Sequence, residues 1–152
     1  MPLALGFRNL LVPISENAES ERAMDVACRL AADRGASIAA VTVIEVPPDL
    51  PLDSHMAAEE ASAHQLLERT AAIADSYGVT VVPRILRARG AADAIVAQTR
   101  ERRTEIVVIG APRKRNRPFG STVEHVLKKA RCRVMVIEAA PTAGSLASDV
   151  AA

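Results

Sequence analysis

Aromatic side chains are nearly missing from this chain: Phe7, Tyr77 and Phe119 are the whole set, and there is no tryptophan. Stacking single-stranded nucleic acid or sandwiching a flavin needs more rings than that. Cysteine is almost as rare. Cys28 and Cys132 stand far apart with no CxxC or Cys/His cluster, which points to a reduced compartment, packing roles for both and no structural zinc or other metal. A dominant charge is missing too, with 19 Lys plus Arg against 18 Asp plus Glu. No global field draws the chain to nucleic acid or membrane. Nowhere do about 18 apolar residues run together, and MPLALGFRN is too short and lacks the basic leader of a secretory signal. The expectation is a cytoplasmic protein with no direct membrane insertion and no nucleic-acid partner.

What is present is a chain of 152 residues, 49% hydrophobic, enough for the core of one domain. Apolar runs alternate with helical patterns. Leu10 to Ile14 reads as a buried strand, followed by a helix capped by Asn17, with Ala23, Val26, Ala27, Leu30 and Ala31 on one stripe and Gly35 at its close. Ile38 to Val46 is a second strand, stopped by Pro47 and Pro48. After the segment PPDLPLDSH, a long helix runs from Met56 to Tyr77 and stops at Gly78. Val79 to Leu86 is the third strand, and Pro83 inside it, lacking an N–H, demands a sheet edge or a bulge. Ala91 to about Arg100 is a helix through Ala92, Ile95 and Val96, and Glu105 to Ile109 is the fourth strand. Ser121 with Glu124 three residues on forms a capping-box pattern for the last helix, whose inner stripe is Val123, Val126, Leu127 and Ala130. Arg133 to Glu138 closes the order as a fifth strand. Strands separated by helices mean right-handed crossovers and a doubly wound α/β domain with a parallel sheet. Residues from Pro141 onward are small, polar and without periodicity, as in a flexible tail.

The segment GAPRKRNRPFGST, Gly110 to Thr122, joins the fourth strand to the last helix. A helix N-terminus offers unpaired amides and a positive dipole end, and Arg113, Lys114, Arg115 and Arg117 precede this one. A phosphate is the natural guest; a solvated basic loop is the plain alternative. In such sheets ligands bind beyond the carboxyl ends of strands where the winding reverses. The loops after strands one, two and four all leave carboxyl ends, so they converge if strands one and four are neighbours.

The openings LLVPI and VTVIEVP, the strand EIVVIG and above all the ending GSTVEHVLKKARCRVMVIE resemble the universal stress protein family. The likeness covers Phe7 to about Glu138, making 7–138 one domain of Rossmann-like fold and 139–152 a flexible tail. It implies a five-stranded parallel sheet in order 3-2-1-4-5, which puts the Pro83 strand at an edge. It also implies a homodimer, paired through the last strand from Arg133 to Ile137, and a non-catalytic sensing or regulatory role in stress response. Carried over by position, the adenosine of a bound nucleotide, ATP or AMP, would touch Pro13, Ile14, Ser15 and Val43. Its phosphates would meet Ile109, Gly110, Arg113, Gly120, Ser121 and Thr122. The chain departs from the family's nucleotide pattern at Arg113, which stands at the second glycine, in a loop three residues short, and at Ser15, where an acidic residue is common. A glycine lets amides curl round phosphates; an arginine substitutes a charged bidentate contact. Phe7-Arg8-Asn9, the alanine- and glutamate-rich second helix and the short basic loop are also similar in style to the variant found as a regulatory cytoplasmic domain of amino acid permeases and cation transporters, some of which bind cyclic di-AMP. A module that binds a protein partner and no nucleotide is the third reading.

Enzyme motifs are not found. There is no GxSxG, no HExxH and no Walker loop. His55, His64 and His125 have no acidic partner at a recognisable spacing, and His125 is read as helix surface or interface. Asp49, Asp53, Glu59 and Glu60 read as a solvated loop and helix start more readily than as a cation site. A response-regulator receiver would need an aspartate after the third strand, where Arg87-Ala88-Arg89-Gly90 stands instead.

Overall fold

The computed structural model describes residues 8–112 and 120–138. Five strands alternate with four helices: β1 (Asn9–Pro13), α1 (Ala18–Ala32), β2 (Ser37–Glu45), α2 (Ala57–Tyr77), β3 (Val81–Ala88), α3 (Ala91–Glu101), β4 (Ile106–Ala111), α4 (Ser121–Lys129) and β5 (Arg133–Glu138). All pairings are parallel, in the order β3-β2-β1-β4-β5. This is the doubly wound α/β fold and the strand order that the sequence led us to expect.

The strands are apolar on both faces because both faces are covered. Leu10, Val12, Ile38, Ala40, Ile106 and Val108 pack under α1 and α2 with Ala23, Met24, Ala27, Leu66 and Leu67. Leu11, Ala39, Val41, Val107 and Ile109 pack under α3 and α4 with Ile95, Val96, Val123 and Val126. Pro83 sits in the edge strand β3, opposite Ala40. The bond from Ile38 N–H to Thr80 O fixes the parity of that ladder, so even-numbered residues of β3 face β2 and Pro83 turns its missing donor outward.

Several boundaries move for local reasons. β3 begins at Val81 and not Val79, because Val79 N–H closes the end of α2 on Ala74 O at 3.1 Å, around the left-handed Gly78 (φ 67°). β4 runs on to Ala111, since Gly110 and Ala111 still pair with Ile137 and Glu138. The capping box at Ser121 does not form: Gly120 is the N-cap of α4, makes no side-chain cap bond, and Ser121 is the first helical residue. Leu127 does not belong to the inner stripe either, being 42% exposed. Asn17 does cap α1, its Oδ1 accepting from Ser20 N–H at 2.7 Å. Residues 139–152 and the loop 113–119 lie outside the described residues.

Candidate functional site

β1 and β4 pair only at Leu10 with Ile106 and Leu11 with Val107, and beyond that point they part. The gap at their carboxyl ends opens into a cavity of about 640 Å³. Its floor is apolar, from Ile14, Val41 and Ile109. Its rim carries the starts of all four helices, through Ser20, Ala58, Ala91 and Ser121 among others. Of the residues singled out from sequence, Pro13, Ile14, Ser15, Val43, Ile109, Gly110, Gly120, Ser121 and Thr122 all line this cavity. Arg113 lies outside the described residues.

The turn from β1 into α1 is held shut by three bonds. Ser15 N–H donates to Ser20 Oγ at 2.9 Å, Asn17 N–H to Ser15 O at 2.8 Å, and Ser20 N–H to Asn17 Oδ1. Ser20 is buried and supports Ser15 from beneath. On the far side, α4 starts on a glycine, so Ser121, Thr122 and Val123 N–H have no side-chain acceptor from the cap; the first intrahelical bond is Glu124 N–H to Gly120 O. Gly110 has a second role that the loop pattern hid. A Cβ there would lie 2.5 Å from Glu19 O and 2.7 Å from Ser20 N, so the glycine lets β4 press directly against the backbone of α1.

The walls also bring in Glu16 and Glu45, which the sequence reading had passed over, and Glu59, which it had read as part of a solvated helix start; the described lining holds no Lys or Arg. Glu16 puts a carboxylate one position after Ser15, where the family's acidic residue was missing. The group Asp49, Asp53, Glu59 and Glu60 is dispersed: Glu60 pairs with Arg87, and no group of three or more metal-ligating side chains occurs among the described residues. Arg87 also donates to Ser54 O at 2.7 Å, while Arg89 donates to Pro47 O at 2.5 Å and Leu50 O at 2.7 Å. These two arginines, leaving the end of β3, staple the proline-rich segment that joins β2 to α2. His125 has an acidic partner after all, its Nε2 lying 2.8 Å from Asp93 Oδ1 across the α3–α4 contact. Sequence spacing could not reveal a pair made between two helices.

Neither cysteine is poised as a nucleophile. Burial, with Asp25 adding to it, pushes the Cys28 thiol up to about 11, and burial raises Cys132 as well. No described helix is long and apolar enough to cross a membrane.

Comparison with known proteins follows the same lines. The model of the universal stress protein family matches residues 6–138. No curated protein matches the chain in sequence. Among solved structures, a universal stress protein from Archaeoglobus fulgidus superposes with a TM-score of 0.73 at 22% identity, over 86% of this chain and 93% of its own. The universal stress protein from Archaeoglobus fulgidus in complex with dAMP gives 0.72 at 21%, over 88% and 99%. A universal stress protein family protein from Arabidopsis thaliana with AMP bound gives 0.64 at 18%, over 95% and 99%. At such identities these likenesses speak for the fold.

Proposed function

We propose that this chain, which belongs to the universal stress protein family, holds an adenine nucleotide in the crevice beyond β1 and β4 and acts as a regulatory module without chemistry of its own. The observation that carries this is the polarity of the cavity. One end has an apolar floor, from Pro13, Ile14 and Val43; the other is glycine, hydroxyl and helix N-terminus, from Gly110 and Gly120 to Thr122, and Arg113 stands between those two glycines in sequence. A nucleoside suits the first and phosphate the second. The dAMP and AMP carried by the two relatives support the same class of guest.

The carboxylates refine the choice of ligand. Glu16, Glu45 and Glu59 repel a phosphate placed anywhere but the Gly120 end. A nucleotide with all its phosphates on one side, AMP or ATP, therefore fits better than cyclic di-AMP, whose second phosphate would meet an acidic wall.

Calorimetry with AMP, ATP and cyclic di-AMP tests the reading. Binding of AMP or ATP in the micromolar range is expected, about tenfold tighter than cyclic di-AMP, with Arg113→Ala weakening it about tenfold. No heat from any of the three at millimolar concentration would sink the proposal, and a preference for cyclic di-AMP would favour the transporter-domain reading. We place the binding unit in 7–138, so a chain ending after Glu138 should keep its affinity. The homodimer pairs the free edge of β5, Arg133 to Ile137, with a second copy; sedimentation at two concentrations checks it.

A further inference from the structure

In a sheet whose strands all run one way, every helix-to-strand turn comes to the same edge. Here that edge is the base of the molecule, opposite the crevice. Arg8 enters β1 there, Arg102 and Arg103 join α3 to β4, and Arg131 joins α4 to β5. Arg100, Lys128 and Lys129 occupy the last turns of the same two helices. The turns are drawn together through Glu105: Arg8 N–H donates to its side-chain Oε1 at 2.9 Å, its own N–H donates to Asn9 O at 2.9 Å, and its carbonyl oxygen accepts from Arg133 N–H at 3.3 Å. Only Asp33, Asp75, Glu101 and Glu105 oppose these cations on the base, and none of the seven has an ion pair among the described residues. The near-zero net charge thus conceals a local concentration of cations at the base.

Basic residues suit the last turn of a helix in any case, and that accounts for Arg100, Lys128 and Lys129. It does not account for Arg8, Arg103 or Arg131. Arg103 is the more telling because its backbone is left-handed, φ 51°, the one described non-glycine residue so placed. Glycine is the usual occupant of that conformation just past a helix. The chain keeps a long cation where its own backbone favours none.

We propose that the base is a docking surface for an anionic bilayer, with its arginines on lipid phosphates and the crevice turned away from the membrane. The cations issue from the ends of several elements, across a sheet of five strands about 20 Å wide. Among the described residues no element projects from that edge to enter a duplex groove, and the nearby Tyr77 is engaged by Asp25 and Arg29, not open for stacking. A lattice of phosphates asks only for breadth and charge, and guanidinium forks answer phosphate well. Leu127, exposed beside Lys128, adds the apolar contact that interfacial segments use.

Flotation of the full chain with vesicles tests this. With phosphatidylcholine containing about one-third phosphatidylglycerol the protein should float at low salt and be released at about 0.3 M, and with phosphatidylcholine alone it should not float. Replacing three base cations, Arg8→Ser, Arg103→Gly and Arg131→Ser, should cut binding by at least tenfold, at about fivefold per cation near the surface. Arg103→Gly alone should leave the melting temperature unchanged or raised, which separates loss of charge from loss of fold. A control with the same charge change away from the base, Arg22→Ser, Arg69→Ser and Arg84→Ser, should bind like the parent. The proposal is overturned if anionic vesicles do not capture the protein, if the control loses as much as the base variant, or if duplex nucleic acid is bound more tightly than the vesicles.

Discussion

At Gly110 an absent atom decides the packing of two elements. Its Cα faces the Glu19–Ser20 peptide, and backbone cannot yield as a side chain could. Gly110→Ala should cost about 3 kcal/mol, read from the midpoint of a urea transition, whether or not a ligand is present. From the sequence this residue looked like a phosphate-loop glycine, because its neighbours in the chain announce a loop while its neighbour in space is a helix far upstream. The same limit hid the pairing of His125 with Asp93. Cys28 offers a second test. Its folded-state value near 11 lies above the ordinary 9.0, so the native state prefers the neutral thiol. The stabilisation is complete below pH 9 and disappears as pH rises towards 11. Cys28→Ala should flatten the fall in stability across that window, seen by comparing melting curves of the two proteins at successive pH values.

Among the elements, α4 and α1 differ in how they begin. Asn17 accepts from Ser20 N–H, whereas Ser121 stands inside its helix and caps nothing. Asn17→Ala is therefore expected to cost about 1 kcal/mol, and Ser121→Ala less than about 0.5 kcal/mol, by urea melts of both variants. The capping-box pattern misled because the preceding residue, a glycine, takes the cap position equally well by backbone conformation. Strand identities were legible since Leu10 to Val12, Ile38 to Val41 and Ile106 to Ile109 are apolar on both faces, and Pro83 announced its edge by a missing donor. Arg87 and Arg89 were not legible as a staple, because their acceptors are mainly carbonyl groups, which carry no sequence signature. Arg87→Ala should destabilise by about 2 kcal/mol and open the Pro47–Ser54 segment to limited proteolysis.

For the whole molecule, the crevice was legible from topology: once β1 and β4 are neighbours, their loops must meet at the point of reversal. The acidic wall was not, because Glu16, Glu45 and Glu59 come from three separate segments that only folding assembles. That wall predicts how binding should respond to salt. Raising ionic strength should weaken nucleotide affinity less than the four cations of 113–117 alone would suggest, since screening also relieves the carboxylate repulsion. Calorimetry in low and high salt measures it, and a slope as steep as four full phosphate contacts would contradict it.

The two halves of the sheet are stitched at just two facing positions, Leu10 with Ile106 and Leu11 with Val107, backed by the contact of α1 on Gly110. Mechanically this is the short seam of the domain, and load applied across the strands should part it before it parts the eight-position ladder of β2 and β3. A molecule lying in the gap would touch both halves and act as a rivet, so that occupancy would be felt as tensile strength.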